Sequence, residues 1–261
     1  MIDYHIHTSL SDGSGEHREY YNEALRLGLS EMGFSDHFCL RPVPWAMGLD
    51  DLPAWKKRMQ RVRKECSGSC RVKTGLEVDY FPEREEELRA VLDRLPLDYV
   101  IGSVHFLGTW NFDSSPDGYD EWDLRHLYEY YYNLIKKAAE SGLFNMIGHL
   151  DLVKKFGHRL ADGLDEIMTR TLEAISNAGL AVELNTSGRN KPCRDFYPSY
   201  TLLEQCYQLD IPVTLGSDAH NPGDVGQHFP DAIDMLKKIG YTRVAVFEKR
   251  QIGFQPIRVP Q

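Results

Sequence analysis

RVKTGLEVDYFPEREEELRAVLDRLPLDYVIGSVH, residues 71–105, contains one complete strand–helix–strand unit. Arg71–Val78 is dominated by apolar and β-branched residues and predicts a strand. Glu83–Arg94 sets Leu88, Val91 and Leu92 among charges at helical spacing and predicts a helix. Tyr99–Val104 predicts the next strand. Two strands joined by one helix pair in parallel through a right-handed crossover. Each strand also ends on a polar side chain, Glu77 in G-L-E and His105 in G-S-V-H.

The same unit recurs on both sides. Upstream, strands are expected at Ile2–Ile6 and Leu29–Ser35. Helices are expected near Glu16–Leu27 and at Pro53–Glu65, the latter with Pro at its start and Lys/Arg toward its end. Downstream, Glu121–Ser141 predicts a long helix. Strands follow at Phe144–Ile147, Leu180–Leu184 and Pro212–Leu215, with helices at Leu164–Ala178, Ser199–Leu209 and Gln227–Ile239. Arg243–Phe247 reads as a last extended piece. Seven β–α pairs in succession predict an α/β protein with a parallel sheet. No Pro/Gly/Ser-rich linker divides the 261 residues, and barrels of this class run to about 250 residues as one unit. The expectation is a single TIM-like (β/α) barrel domain over residues 1–261. A doubly wound open sheet is the alternative, because periodicity does not report closure.

Composition narrows the class further. Hydrophobic residues make up 42% and charged residues 26%, which supports a packed core and excludes disorder as the main state. Thirty Lys+Arg against 39 Asp+Glu give a formal charge of −9, which argues against a broad nucleic-acid footprint. No run approaches the ~18 apolar residues of a membrane span. MIDYHIHTSL carries neither a basic nor a long apolar leader segment. The five cysteines, Cys39, Cys66, Cys70, Cys193 and Cys206, are scattered and odd in number. They read as free thiols in a reducing compartment, so a cytoplasmic location is expected.

The strand ends carry the chemistry. Strand one closes on His5-Ile6-His7, where residues i and i+2 share a side. Strand two runs into Asp36-His37, strand three carries Glu77, and strand four leads to His105. Strand five ends at Gly148-His149, strand six at Glu183-Leu184-Asn185, and strand seven runs into Ser217-Asp218-Ala219-His220. In a β/α barrel these ends share one face, and Asp12 in the first loop can join them. A lone histidine is ordinarily a satisfied core or surface residue, but coincidence does not account for this placement at so many strand ends. Crowded imidazoles without an ion would be poorly satisfied. His5, His7, Asp12, His37, Glu77, His105, His149, Asp218 and His220 exceed the needs of one tetrahedral ion. They suit two or three divalent ions of Zn, Fe or Mn, bridged by a carboxylate and water. His126, His158 and His228 do not share the placement. His17 begins a helix and is a surface residue or an outlying contact.

H-x-H at His5/His7, S-D-G at Asp12, S-D-H at His37, G-L-E at Glu77, G-S-V-H at His105, G-H-L-D at His149 and G-S-D-A-H at Asp218/His220 resemble the polymerase-and-histidinol-phosphatase (PHP) superfamily. The motifs occur in order from residue 5 to residue 220. The resemblance implies a distorted seven-stranded β/α barrel with a trinuclear metal centre. It also implies a division of ligands. One ion takes His5, His7, Glu77 and Asp218, a second takes Glu77, His105 and His149, and a third takes Asp12, His37 and His220. Glu77 bridges the first two. Some members carry histidine in place of Asp12, which leaves His17 as a weaker candidate there. The stretches Ile101–Asp113, Glu183–Pro192, Tyr197–Cys206 and Gly216–Gly226 resemble the branch that hydrolyses L-histidinol phosphate.

A centre of this kind supports phosphomonoester hydrolysis. It makes hydroxide from a bridging water, holds the phosphoryl oxygens and aligns attack. Glu77, Asp218 and His220 are the expected catalytic residues. Arg189, Lys191, Lys154 and Lys155 are candidates for phosphate contact. Trp110 and Asp113, with Phe112 beside them, are candidates for the imidazole and amine of the leaving group. The expected partner is a small phosphorylated substrate. Another phosphate ester, such as a nucleotide bisphosphate or an oligonucleotide end, is the runner-up. A metal-stabilised module without turnover is disfavoured because every expected ligand position is filled. C–N bond hydrolysis is disfavoured because Glu77 occupies the bridging role.

Overall fold

The structure is a computed structural model that describes residues 1–160 and 164–257. Strand β1 (Ile2–Asp3) leads to helix α1 (His17–Arg26), then β2 (Glu31–Phe34) and β3 (His37–Phe38). Helix α2 (Leu52–Glu65) precedes β4 (Arg71–Asp79), and α3 (Glu85–Leu92) precedes β5 (Tyr99–Ser103). A small hairpin, β6 (Phe106–Leu107) and β7 (Trp110–Asn111), is followed by α4 (Leu124–Glu140) and β8 (Met146–Ile147). Then come α5 (Asp165–Asn177), β9 (Ala181–Asn185), α6 (Tyr200–Gln208), β10 (Val213–Gly216) and α7 (Phe229–Ile239). The chain ends in a second hairpin, β11 (Arg243–Glu248) and β12 (Gln251–Pro256).

The seven strands β1, β2, β4, β5, β8, β9 and β10 pair in that order, all in parallel. The ring closes between first and last. Tyr4 N–H donates to Leu215 O at 3.0 Å, Ala219 N–H to His5 O at 3.1 Å, and His7 N–H to Ala219 O at 2.9 Å. Closure settles the choice between barrel and open sheet. The distortion has a local cause. β2 and β3 lie on β4 in one register, Phe34 opposite Thr74 and His37 opposite Glu77, but regular pairing lapses at Ser35–Asp36. There side chains add to the backbone bonds: Ser35 N–H donates to Ile6 O at 2.9 Å, while Ser35 Oγ accepts from Ile6 N–H and Asp36 Oδ1 from Thr8 N–H. Two polar side chains thus help hold the segment that follows β1.

Helices cover the ring through apolar stripes. On α2, Leu52, Trp55, Met59 and Val62 are buried at the spacing of one helix face. The long helix starts later than the sequence suggests. Tyr119–Glu121 forms a separate tight turn after Gly118, and Asp123 Oδ1 caps α4 by accepting from His126 N–H at 3.0 Å. No helix among the described residues is long and apolar enough to cross a membrane.

The barrel floor is closed by the terminal hairpin. Phe247 packs its ring 5.9 Å from Tyr4 and 6.1 Å from Tyr99. Asp98 O accepts from Arg250 N–H, and Arg250 O accepts from Asn145 Nδ2, which ties the turn to the barrel. Tyr99 fills the interior and donates to Tyr4 O at 2.7 Å. Its ring fits because Gly75 has no side chain: a Cβ there would lie 2.3 Å from ring carbons. Gly75→Ala is therefore expected to cost about 1–3 kcal/mol by overpacking, read as a lowered urea midpoint. An unchanged midpoint would mean that the ring has room to move.

Candidate metal centre

Parallel strands point their C-terminal ends one way, so the residues after them meet at one mouth. His5 and His7 follow β1, His37 opens β3, and Glu77 lies inside β4. His105 follows β5, His149 follows β8, Asp218 and His220 follow β10, and Asp12 comes from the loop after β1. All nine expected residues are brought together. Glu77 stands at the centre. Its Oε2 lies 2.8 Å from His37 Nδ1, 3.1 Å from His5 Nε2 and 3.4 Å from His7 Nε2. Its Oε1 lies 2.8 Å from His149 Nε2 and 3.5 Å from His105 Nε2. Asp218 Oδ1 faces His7 Nε2 at 3.3 Å, and Asp12 Oδ2 faces His220 Nε2 at 3.3 Å.

A second layer of polar groups fixes these side chains. His5 Nδ1 meets Glu183 Oε1 at 2.6 Å, and His105 Nδ1 meets Asp79 Oδ1 at 3.0 Å. Ser103 Oγ donates to Glu77 Oε1 at 2.7 Å, and Ser187 Oγ donates to Asp218 Oδ2 at 3.1 Å. A carboxylate on one ring nitrogen holds that nitrogen protonated and leaves the other as a lone pair. With an ion bound, His5 Nε2 and His105 Nε2 would be the nitrogens left to hold it beside Glu77.

The donors fit divalent ions. His5 Nε2, both ring nitrogens of His7, His37 Nδ1, His149 Nδ1 and Glu77 Oε2 are buried without a hydrogen-bond partner. Buried polar atoms are normally satisfied, so this concentration marks atoms built for another partner. Three groups, His5/His7/Glu77, His37/Glu77/His105 and His7/Asp12/His37/His220, each bring ligand atoms within 4.8 Å of one another. His37 belongs to two of them and sits between Glu77 and Asp12, a shared position the sequence does not suggest. The electrostatics match a cation site. Burial alone would raise the Glu77 carboxyl, but His37, His5 and His105 hold it well below the usual carboxylate range. Asp218 is also pulled down against its burial, first by His5. Burial and the neighbouring His37 and His220 lower His7 to about 3, so its nitrogens stay free to ligate.

Above the cluster lies a cavity of about 320 Å³, in the range of small-molecule sites. Lys155, Lys191 and Asp113 line it, with Trp45, Asn111, Ser114 and Tyr197. Lys155 Nζ donates to Asp113 Oδ1 at 2.7 Å. The other substrate candidates stand elsewhere, which corrects three expectations. Lys154 is buried and spent on Asp151 at 2.8 Å and Asp195 at 3.0 Å. Arg189 points away over Phe196 and toward Asp231. Trp110 is packed against Tyr119 and Trp122, with its N–H on Asp117 O. His17 is buried rather than on the surface. It packs edge-on to Phe34, faces Arg58, and belongs to none of the three ligand groups. Sequence reasoning missed Trp45, whose ring meets His37 and His105 at 4.8 and 5.6 Å, because it rides on an irregular loop. It named Glu183 in the run that closes strand six without giving it a role, and it passed over Asp79.

Residues 3–187 match the PHP domain. The chain belongs to the PHP domain family, a class of metal-site β/α barrels. Its relatives are specific within that class. It is 42% identical over 259 residues to the probable histidinol-phosphatase of Deinococcus radiodurans, spanning 97% of this chain and 98% of the relative. It is 34% identical to the histidinol-phosphatase of Bacillus subtilis, spanning 86% and 95%. The crystal structure of histidinol phosphate phosphatase from Lactococcus lactis, complexed with Zn, L-histidinol and phosphate, matches with a TM-score of 0.83. Its identity to this chain is 25%, and the match spans 97% of this chain and 98% of that one. The chain thus falls within the histidinol-phosphatase branch.

Proposed function

We propose that this chain is a metal-dependent phosphomonoesterase that hydrolyses L-histidinol phosphate to L-histidinol and phosphate. The observation that carries the reading is the set of buried imidazole and carboxylate atoms that face one another without hydrogen-bond partners. Full-length likeness to histidinol-phosphatases selects the substrate.

Two to three divalent transition ions of the Zn, Fe or Mn class would be held there. His5, His7, Glu77 and Asp218 would hold the first, and Glu77, His105 and His149 the second. Asp12, His37 and His220 would hold the third. When bound, such ions supply an activated water and positive charge for the phosphoryl oxygens. Glu77 places one oxygen toward His105 and His149 and the other toward His5, His7 and His37, which suits a bridge. Lys155 and Lys191 add cationic donors to the cavity wall, where a phosphate dianion needs them. Asp113, paired with Lys155, is the carboxylate an ammonium group of the substrate would meet in exchange for that lysine, and Trp45 offers an aromatic ring to the same cavity. The reading places the protein in the cytoplasm, where its five buried cysteines stay reduced.

A panel of phosphate esters assayed after metal reconstitution tests the proposal. Histidinol phosphate should exceed simple esters in kcat/KM, since only its leaving group offers an imidazole and an amine. Asp113→Ala should impair histidinol phosphate selectively and leave p-nitrophenyl phosphate much less affected. Arg189→Ala should leave both nearly unchanged, because the side chain stands outside the cavity. A preference for nucleotide substrates would replace the substrate while keeping phosphoester hydrolysis.

A further inference from the structure

We propose that Glu183 is the positioning residue of the metal centre, fixing a histidine tautomer and a backbone turn at once. The inference rests on the metal reading above. Glu183 lies in the middle of β9, is 1% exposed, and belongs to none of the three ligand groups. Three donors converge on it. His5 Nδ1 reaches Oε1 at 2.6 Å, while the His149 N–H and Asn185 Nδ2 reach Oε2 at 2.9 and 3.2 Å. Asn185 in turn donates to Asp218 Oδ2 at 3.3 Å. One side chain thus reaches ligand candidates from three different strand ends.

The fold makes room for this carboxylate at some cost. A Cβ on Gly216 would fall 1.9 Å from Glu183 Oε1, so only glycine admits it. His149 has a φ of +24°, unfavourable for a side-chain-bearing residue, and its N–H is the one Glu183 holds. The charge is needed as well as the shape. A carboxylate offers two acceptor oxygens and no proton, so His5 must donate from Nδ1 and present the Nε2 lone pair to the cluster. His5 Nε2 is among the buried atoms that lack a protein partner.

Glutamine keeps the outline but has one acceptor. If its oxygen serves His149 and Asn185, its NH2 faces His5 Nδ1. The His5 ring must then shift its proton to Nε2 and turn an N–H, not a lone pair, toward the ion. If the oxygen serves His5 instead, the NH2 meets two other donors. Either arrangement weakens metal binding.

The test measures Co2+ affinity directly. Metal-free wild type, Glu183→Gln and Glu183→Asp are titrated with Co2+ against a chromophoric chelator, with the visible Co2+ absorption recorded. Thermal melting of each metal-free protein is followed in parallel. The expected result is affinity about 10–100-fold weaker in Glu183→Gln with an altered Co2+ spectrum, and an intermediate loss in Glu183→Asp. Glu183→Asp keeps the charge but cannot span both His5 and His149. Affinity within about twofold of wild type in Glu183→Gln would overturn the proposal, even with a lowered melting temperature, because that pattern is purely structural. Should Glu183→Gln not be recovered folded, Glu183→Asp decides by the same comparison. A wild type that binds no Co2+ would instead overturn the metal reading.

Discussion

Stripping the protein with a chelator is expected to abolish phosphate-ester hydrolysis, and adding back Zn, Mn or Fe is expected to restore it. The expectation follows from the chemistry of the mouth. Without ions, the imidazoles and carboxylates there offset one another's charge, but several buried nitrogens keep no partner. Among the described residues, two other groups lining the cavity are poor sources of a nucleophile. Lys155 is paired with Asp113, and Tyr197 is a buried phenol whose ionisation is pushed far up by burial first and by Cys193 next. The fold itself should persist, because its core is the continuous apolar cluster of barrel and helices rather than the site. Elemental analysis should find two to three ions per chain before stripping and none after. Full turnover in protein shown to be metal-free would refute the proposed chemistry.

Glu77→Gln is expected to lower turnover by at least about 100-fold, since metal alignment and hydroxide formation both depend on the shared charge. The two oxygens of Glu77 face five imidazoles, those of His5, His7, His37, His105 and His149. Glutamine would offer an NH2 to one set, and its neighbours would lose the carboxylate that counters their charge. His105 shows how strongly these rings respond. Burial pulls it down, but Asp79 and then Glu77 raise it to about 10. Metal content should be measured beside kcat for this variant. Near-normal turnover with a full metal complement would take the bridging role away from Glu77.

Much of this arrangement was legible because parallel strands obey a simple geometry. Once Glu77 and His105 are seen at the ends of neighbouring strands, the other strand ends follow by repetition. The α/β class, the helix order and the meeting of His5, His7, His37, His149, Asp218 and His220 were readable in that way. Closure was not, because it rests on three backbone bonds between β1 and the segment around β10, and backbone bonds leave no trace in side-chain periodicity. The terminal hairpin was half visible. β11 reads as extended, but Gln251–Pro256 alternates weakly and pairs only with β11. Loop direction was also hidden. Arg189 and Lys155 both follow strands at the same end, yet one turns out toward Asp231 and the other in toward Asp113. Trp45 and Asn111 became visible only once the loops that carry them were folded over the mouth.

The hairpin that closes the barrel floor has a kinetic consequence. With Phe247, Tyr4 and Tyr99 buried beneath the cluster, the floor is closed, and the cavity lined by His37, Glu77 and His149 gives access to the site. The substrate would, on the proposed chemistry, enter phosphate-first, because the residues that would hold the ions line that cavity. On the proposed chemistry both products then queue along one path, with the alcohol nearer the opening. The alcohol would then leave first and phosphate last, an order set by the recess.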